Sequence, residues 1–105
     1  MDQQIVRIAQ LEIDPDQLLA YLGFLKDEIE ASIRHEPGVI MLHATARKHA
    51  PHLIQLLEVY ASPAAYQAHI ASPHFLKYKI ATVAMVRALE LIEVDPILLA
   101  AKPAA

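Results

Sequence analysis

Two Ser-Pro pairs ten residues apart, Ser62-Pro63 and Ser72-Pro73, constrain this chain more than any other feature. A serine can accept a hydrogen bond from an orphan backbone N–H at a helix start, and a proline in the first helical position lacks only a donor that has no intrahelical partner. Each pair therefore marks a helix start, and two starts so close imply a broken helix. The break gathers polar groups. His69 closes the first segment, His74 falls in the first turn of the second, and Tyr78 lies one turn further on the same face as His74. A site is expected around that kink.

The rest of the chain supplies a sheet. Residues 5–13 are β-branched and roughly alternating, stop at Asp14-Pro15, and predict a strand. Asp14, Pro15 and Gln17 start a helix that runs to about His35. Leu18, Leu22, Leu25, Ile29 and Ile33 recur at spacings of four, three, four and four, a stripe that should face a sheet, while Lys26, Asp27, Glu28 and Glu30 should face water. Glu36-Pro37-Gly38 ends that helix, since proline cannot continue it and glycine supplies turn geometry. Residues 39–47, a polar turn at Lys48-His49-Ala50-Pro51 and residues 52–60 predict a β-hairpin. The broken helix, roughly 63–86, leads to a last strand over 87–94, ended by Asp95-Pro96. The tail, 97–105, reads as a frayed end or as an arm laid on a partner.

The order β-α-β-β-α-β predicts an α+β fold of ferredoxin-like type, an antiparallel sheet with helices on one face, in one domain over 1–105 with its core at about 5–96. The strands are apolar at both parities. Val39 and Met41 oppose Ile40, Leu42 and Ala44; Ile54, Leu56 and Tyr60 oppose Leu53, Leu57 and Val59. Two helices cover only one face of such a sheet, so the second apolar face calls for a partner sheet and a homodimer. A composition of 55% hydrophobic residues is rich for a lone chain of this size and points the same way.

Net charge is −3 with no long basic run, which sets nucleic-acid binding aside. No apolar stretch approaches the ~20 residues needed to cross a bilayer, and the start Met1-Asp2-Gln3-Gln4 lacks the features of a signal peptide, so a cytoplasmic protein with no membrane partner is expected. The absence of cysteine removes disulfides, thiolate nucleophiles and Cys-based metal sites. Histidines number six, but no HExxH motif occurs, His69 and His74 are separated by the break, and His49-x-x-His52 has no evident third ligand. No metal is expected.

Glu36-Pro37-Gly38, the strand end Glu58-Val59-Tyr60, and above all the run from Ala65 through Tyr66, His69, Ser72, Pro73 and His74 to Phe75 resemble the antibiotic biosynthesis monooxygenase family, in its small quinol-monooxygenase-like branch. The resemblance covers about residues 5–96. It implies a dimeric α+β barrel, a pocket between sheet and helices in each subunit, and cofactor-independent oxidation of electron-rich aromatic substrates by O2. Haem-degrading members use an Asn on the first strand, a Trp near the end of the third and a helix histidine. This chain has neither Asn nor Trp, presents Tyr60 at the third-strand position, and aligns Lys79 near that histidine. Haem degradation is therefore not expected.

Oxygenation without a cofactor needs an electron-rich phenol or hydroquinone deprotonated in a dry pocket, and histidine is the natural base near neutral pH. His69, His74 and Tyr78 are the candidate catalytic residues; Tyr60, Tyr66, Phe75, His43, Arg7 and Glu58 are candidates to bind substrate. Structural roles cover the same residues: His69 as a helix cap, His74 as a solvated helix-start residue, His43 as a hydrogen-bonded core histidine, Arg7 and Glu58 as a cross-strand pair, and the tyrosines as packing. His49 and His52, flanking the hairpin turn, should be exposed. Two further readings of the same pocket are an isomerase that shuttles a proton through histidine, and a ligand-binding stress-response barrel without turnover.

Overall fold

All four predicted strands and both Ser-Pro helix starts reappear in the structure, a computed structural model, within a residue or two of their expected bounds. The structure describes residues 3–103; Met1, Asp2, Ala104 and Ala105, the ends of the expected domain and tail, lie outside the described residues. The elements are β1 (Ile5–Ile13), a single 3-10 turn at Pro15–Gln17, α1 (Leu18–His35), β2 (Val39–Arg47), β3 (Ala50–Tyr60), α2 (Pro63–Ile70), α3 (Pro73–Thr82) and β4 (Val86–Val94). All strand pairs are antiparallel, in the order β2-β3-β1-β4. This is the ferredoxin-like α+β arrangement, with an open sheet and helices on one side.

The helix break forms as the serines dictate. Ser62 Oγ accepts the Ala65 N–H at 3.1 Å and Ser72 Oγ accepts the Phe75 N–H at 3.3 Å, each with proline next. Ser72 also turns the chain, its hydroxyl donating to the His69 carbonyl at 2.7 Å. α3 stops at Thr82, four residues short of the expected 86, because the Met85 N–H closes a turn on the Thr82 carbonyl and the Met85 carbonyl accepts the Asp14 N–H, both at 2.8 Å. Val83, just past the helix end, is 68% exposed, and Val86 opens β4.

Three local departures from simple periodicity decide what faces the helices. In β2, an irregularity between Val39 and Met41 resets the alternation, so Val39 and Leu42, expected on opposite faces, share one cluster with Tyr60. In the hairpin, β3 begins at Ala50, and Pro51 falls where the register slips between Ala46 and Arg47, so its missing donor costs no ladder bond. His49 is exposed there, whereas His52 is half-buried. In α1, the buried residues are Tyr21, Leu25, Glu28 and Ser32, a face rotated from the expected stripe; Leu18, Leu22 and Ile29 flank it and Ile33 is 50% exposed. Glu28, expected in water, is 6% exposed.

Gly38 owes its identity to proximity and not to turn geometry, since no described glycine has a positive φ. A Cβ at Gly38 would stand 2.5 Å from the Cβ of Ala65. The loop after α1 thus lies directly on α2, secured by an Ala61 N–H to Gly38 carbonyl bond of 2.8 Å.

The main core, Ala9, Leu11, Ile13, Tyr21, Leu25, Ile54 and Leu56, sits between α1 and the sheet. Directly paired residues of an antiparallel sheet share a face, so Val6, Val59 and Val94, then Ile8, Leu57 and Ile92, with Met41 and His43, occupy the face away from the helices. Further along that face come Gln10, Gln55 and Glu90. No described helix is long and apolar enough to cross a membrane.

Candidate active site

A cavity of about 370 Å³ opens between the helices and the β1–β4 side of the sheet, large enough for a small ligand. Leu11, Leu25, Leu42, Leu56, Leu89 and Leu91 make its apolar wall. Leu89 and Leu91, on the edge strand, are 46% and 51% exposed and mark its mouth.

One polar wall comes from the ends of the central strands. Register sets Arg7 opposite Glu58, and both line the cavity. They do not bond each other. Arg7 donates to the Tyr66 hydroxyl at 2.6 Å and to Glu93 at 3.1 Å, and its guanidinium lies 4.3 Å over the Tyr66 ring. Glu58 accepts from the Tyr60 hydroxyl at 2.6 Å. Tyr60 in turn meets Tyr66 edge-on, with centroids 5.2 Å apart.

The other polar wall comes from α1 and the helix break. Glu28 and His69 both line the cavity. Ser32 Oγ donates to Glu28 Oε1 at 2.8 Å, and that oxygen lies 3.4 Å from His69 Nε2. The opposite ring nitrogen, Nδ1, is 2.9 Å from Glu36 Oε2, and the same carboxylate oxygen is 2.5 Å from His74 Nε2. The order from cavity to surface is therefore Glu28, His69, Glu36, His74. Phe75 packs 5.0 Å from the His69 ring and 6.0 Å from Tyr78, whose hydroxyl meets that of Tyr21 at 2.6 Å.

Burial divides these groups by chemistry. It pushes the phenols of Tyr60 and Tyr21 well up and raises that of Tyr78, with nearby Glu58 and Glu28 adding to the effect. Near neutral pH these phenols remain protonated; they donate hydrogen bonds and take no proton. Burial also raises Glu28 above the usual carboxylate range, only partly offset by Ser32 and His69. Burial would raise Glu36 too, but the hydrogen bonds from His69 and His74 outweigh it and hold the carboxylate below its ordinary value. For Arg7, Tyr66, Glu93 and Glu58 outweigh the lowering by burial and keep the guanidinium charged.

Arg7, Glu58, Tyr60, Tyr66, His69, Phe75 and Tyr78 come together around the cavity. His74 does not line it and instead meets Glu36 from outside. His43 stands on the opposite face of the sheet, exposed, paired in register with Leu57. Two carboxylates of the site, Glu28 and Glu36, are not among the residues that the sequence marks as candidates. Glu28 and Ser32 carry a readable signal, being three and seven residues after Leu25 on the face that also holds Tyr21. Glu36 carries none, because its role depends on a loop lying against a helix remote in sequence.

Glu36, His69 and His74 also form a possible metal-ligating group, their ligand atoms all within 4.8 Å of one another. In a tetrahedral shell of ~2.1 Å bonds neighbouring ligands stand about 3.4 Å apart. Separations of 2.9 and 2.5 Å from the shared oxygen are those of side chains bonded to one another.

The fold and cavity define a ferredoxin-like α+β domain with an aromatic, acid–base-lined pocket under its helices. The sequence profile of the family described as antibiotic biosynthesis monooxygenase matches residues 4–80. A protein of Bacteroides thetaiotaomicron, provisionally named an antibiotic biosynthesis monooxygenase, is 47% identical, is covered over 97% of both chains and superposes with a TM-score of 0.92. The chain belongs to the antibiotic biosynthesis monooxygenase family. Proteins of Caulobacter crescentus (21% identity, 92% of each chain, TM-score 0.85) and Mycobacterium tuberculosis (24% identity, 94% of this chain and 100% of that one, TM-score 0.82) share the fold. No curated protein matches the sequence.

Proposed function

We propose that the cavity binds an electron-rich aromatic of hydroquinone or polyphenol type and oxidises it with O2 without a protein-bound cofactor, as in the quinol-monooxygenase-like branch of the family. The observation that carries this reading is the pairing of walls. A proton-accepting pair, Glu28 and His69, faces a hydrogen-bonding wall of Arg7, Glu58, Tyr60 and Tyr66 across an apolar space lined by Phe75 and Tyr78. A ring seated between them loses its hydroxyl proton to the Glu28–His69 pair, while the Tyr66–Arg7 wall holds its second oxygen. The resulting electron-rich phenolate reduces O2, the ring carbon and oxygen join as a hydroperoxide, and loss of water leaves the quinone. Hydroquinone plus O2 thus yields hydroxyquinone plus one water, with no other reductant.

The family relationship supports a monooxygenase-type activity. Oxygen uptake with a panel of hydroquinones tests the substrate class. Wild type should consume O2 with at least one member, and His69→Ala should lose roughly 10²- to 10⁴-fold in kcat/KM. No uptake across the panel, or an unchanged His69→Ala, refutes the mechanism.

The proposal takes 1–105 as one domain, in a cytoplasmic homodimer joined through the sheet face opposite the helices to give the dimeric barrel. On that face Ile8, Met41, Leu57, Ile92 and Val94 are half-buried around the buried Val6 and Val59, an apolar patch suited to a second copy.

A further inference from the structure

The two histidines at the helix break are joined by a carboxylate, and only one of them reaches the cavity. Glu28 Oε1 to His69 Nε2 is 3.4 Å, His69 Nδ1 to Glu36 Oε2 is 2.9 Å, and Glu36 Oε2 to His74 Nε2 is 2.5 Å. Side-chain exposure along that path is 6%, 4%, 14% and 18%, so the inner pair is sealed and the outer pair reaches water. Tyr60 and Phe75 pack on the His69 ring and Ser72 binds the His69 carbonyl, fixing the imidazole with one nitrogen toward each carboxylate. A histidine needed only as a helix cap has no use for a second carboxylate on its far side.

We propose that Glu28, His69, Glu36 and His74 form a proton relay between the cavity and solvent, with Glu36 and His74 as members that never touch substrate. The inference rests on the oxidation chemistry proposed above, and it gives His74 a different role from a base that meets the ring. The steps balance. Glu28 takes the hydroxyl proton, then passes it to His69 Nε2 as His69 Nδ1 releases its own proton to Glu36. Glu36 protonates His74 Nε2, and His74 Nδ1 gives a proton to water. The substrate is left as phenolate, and no electrons move along the path. The second half of the reaction expels hydroxide from the hydroperoxide and requires one proton back. Its return along the same path makes water and restores the original His69 tautomer, so the buried ring never has to flip.

The test needs no substrate. With ¹⁵N-labelled histidine, NMR measures how fast the His69 ring N–H exchanges with bulk water in wild type, Glu36→Gln and His74→Ala. A relay predicts at least ~10-fold slower exchange in both variants, and recovery in His74→Ala on adding free imidazole. A merely structural role predicts the reverse, since loosening the helix break admits water and speeds exchange. Unchanged or faster exchange in the variants, or no recovery with imidazole, overturns the proposal. Backbone circular dichroism identifies a variant that has lost its fold, and Glu36→Gln, nearly isosteric, then carries the test. Because the ring exchange is read without turnover, a hydroquinone panel that gives no O2 uptake strikes at the substrate assignment and leaves this result standing.

Discussion

Gly38→Ala sets two effects of known sign against each other. At an ordinary negative φ, replacing glycine by alanine stabilises by about 0.4–1 kcal/mol, because the unfolded chain loses freedom. No described glycine has a positive φ, so that gain is available here. Against it, the new Cβ would stand 2.5 Å from the Ala65 Cβ and 3.4 Å from its Cα. Carbon atoms pack at roughly 3.5–4.0 Å, so the loop or α2 must shift by about 1 Å. Neither side can yield by rotating a side chain, since both Cβ atoms are fixed to backbone. Overpacking of this kind costs about 1–3 kcal/mol. The clash should win, leaving a net loss of roughly 0.5–2 kcal/mol. Urea unfolding reads this as a lower midpoint at unchanged slope. Ala65→Gly alone should cost about 1 kcal/mol of helix propensity, yet in the double variant it should restore most of what Gly38→Ala loses. A favourable coupling of at least ~1 kcal/mol is expected. A neutral or stabilising Gly38→Ala, or additive single effects, refutes the close-approach account. The same shift moves Glu36, so Gly38→Ala should also change the ¹⁵N resonances of His69.

Tyr21→Phe, by stranding the Tyr78 hydroxyl that bonds it at 2.6 Å, should cost about 1–2 kcal/mol, whereas Tyr21→Phe with Tyr78→Phe should cost less than the two singles summed, as urea titration will show. Ser72→Ala removes an N-cap and the bond to the His69 carbonyl together, so its loss should sit near 2 kcal/mol and exceed that of Ser62→Ala, near 1 kcal/mol; equal losses would deny Ser72 its second role. Glu36 is held below its ordinary value of 4.5, so its stabilisation is present above that pH and lost as pH falls through the lower folded value; Glu36→Gln should flatten the acid limb of stability against pH. Glu28, raised above 4.5, has the opposite sign: its contribution is complete below that pH and fades as pH rises through the folded value, so Glu28→Gln should remove that decline. Light scattering should give twice the chain mass, and a Leu57→Lys variant on the face opposite the helices should give a monomer; a wild-type monomer excludes the paired-sheet proposal.

Strand and helix order was legible because it rests on local physics. Alternation over 5–13, Asp14-Pro15 and the two Ser-Pro pairs act within a few residues, and the corresponding elements form where they predict. Faces were less legible. One irregularity in β2 moved Leu42 to the side of Val39, and the true buried face of α1 was displaced by contact with Tyr78 on α3. Periodicity counts residues along one element and cannot register a slipped pairing or a neighbour that rotates it.

The sequence by itself determined the βαββαβ order, the broken helix and the clustering of His69, His74, Tyr78, Tyr60 and Tyr66 near one kink. Only the tertiary structure decided which of them share a cavity. It turned Glu28 inward, brought Glu36 between the histidines, sent His43 to the other face and left His74 outside. The physical reason is separation along the chain. Glu36 lies 33 residues from His69, and their contact exists because Gly38 lets one loop lie against α2. A hydrogen bond between remote side chains is written in no local pattern, and that contact is what turns two histidines beside a kink into a connected acid–base path.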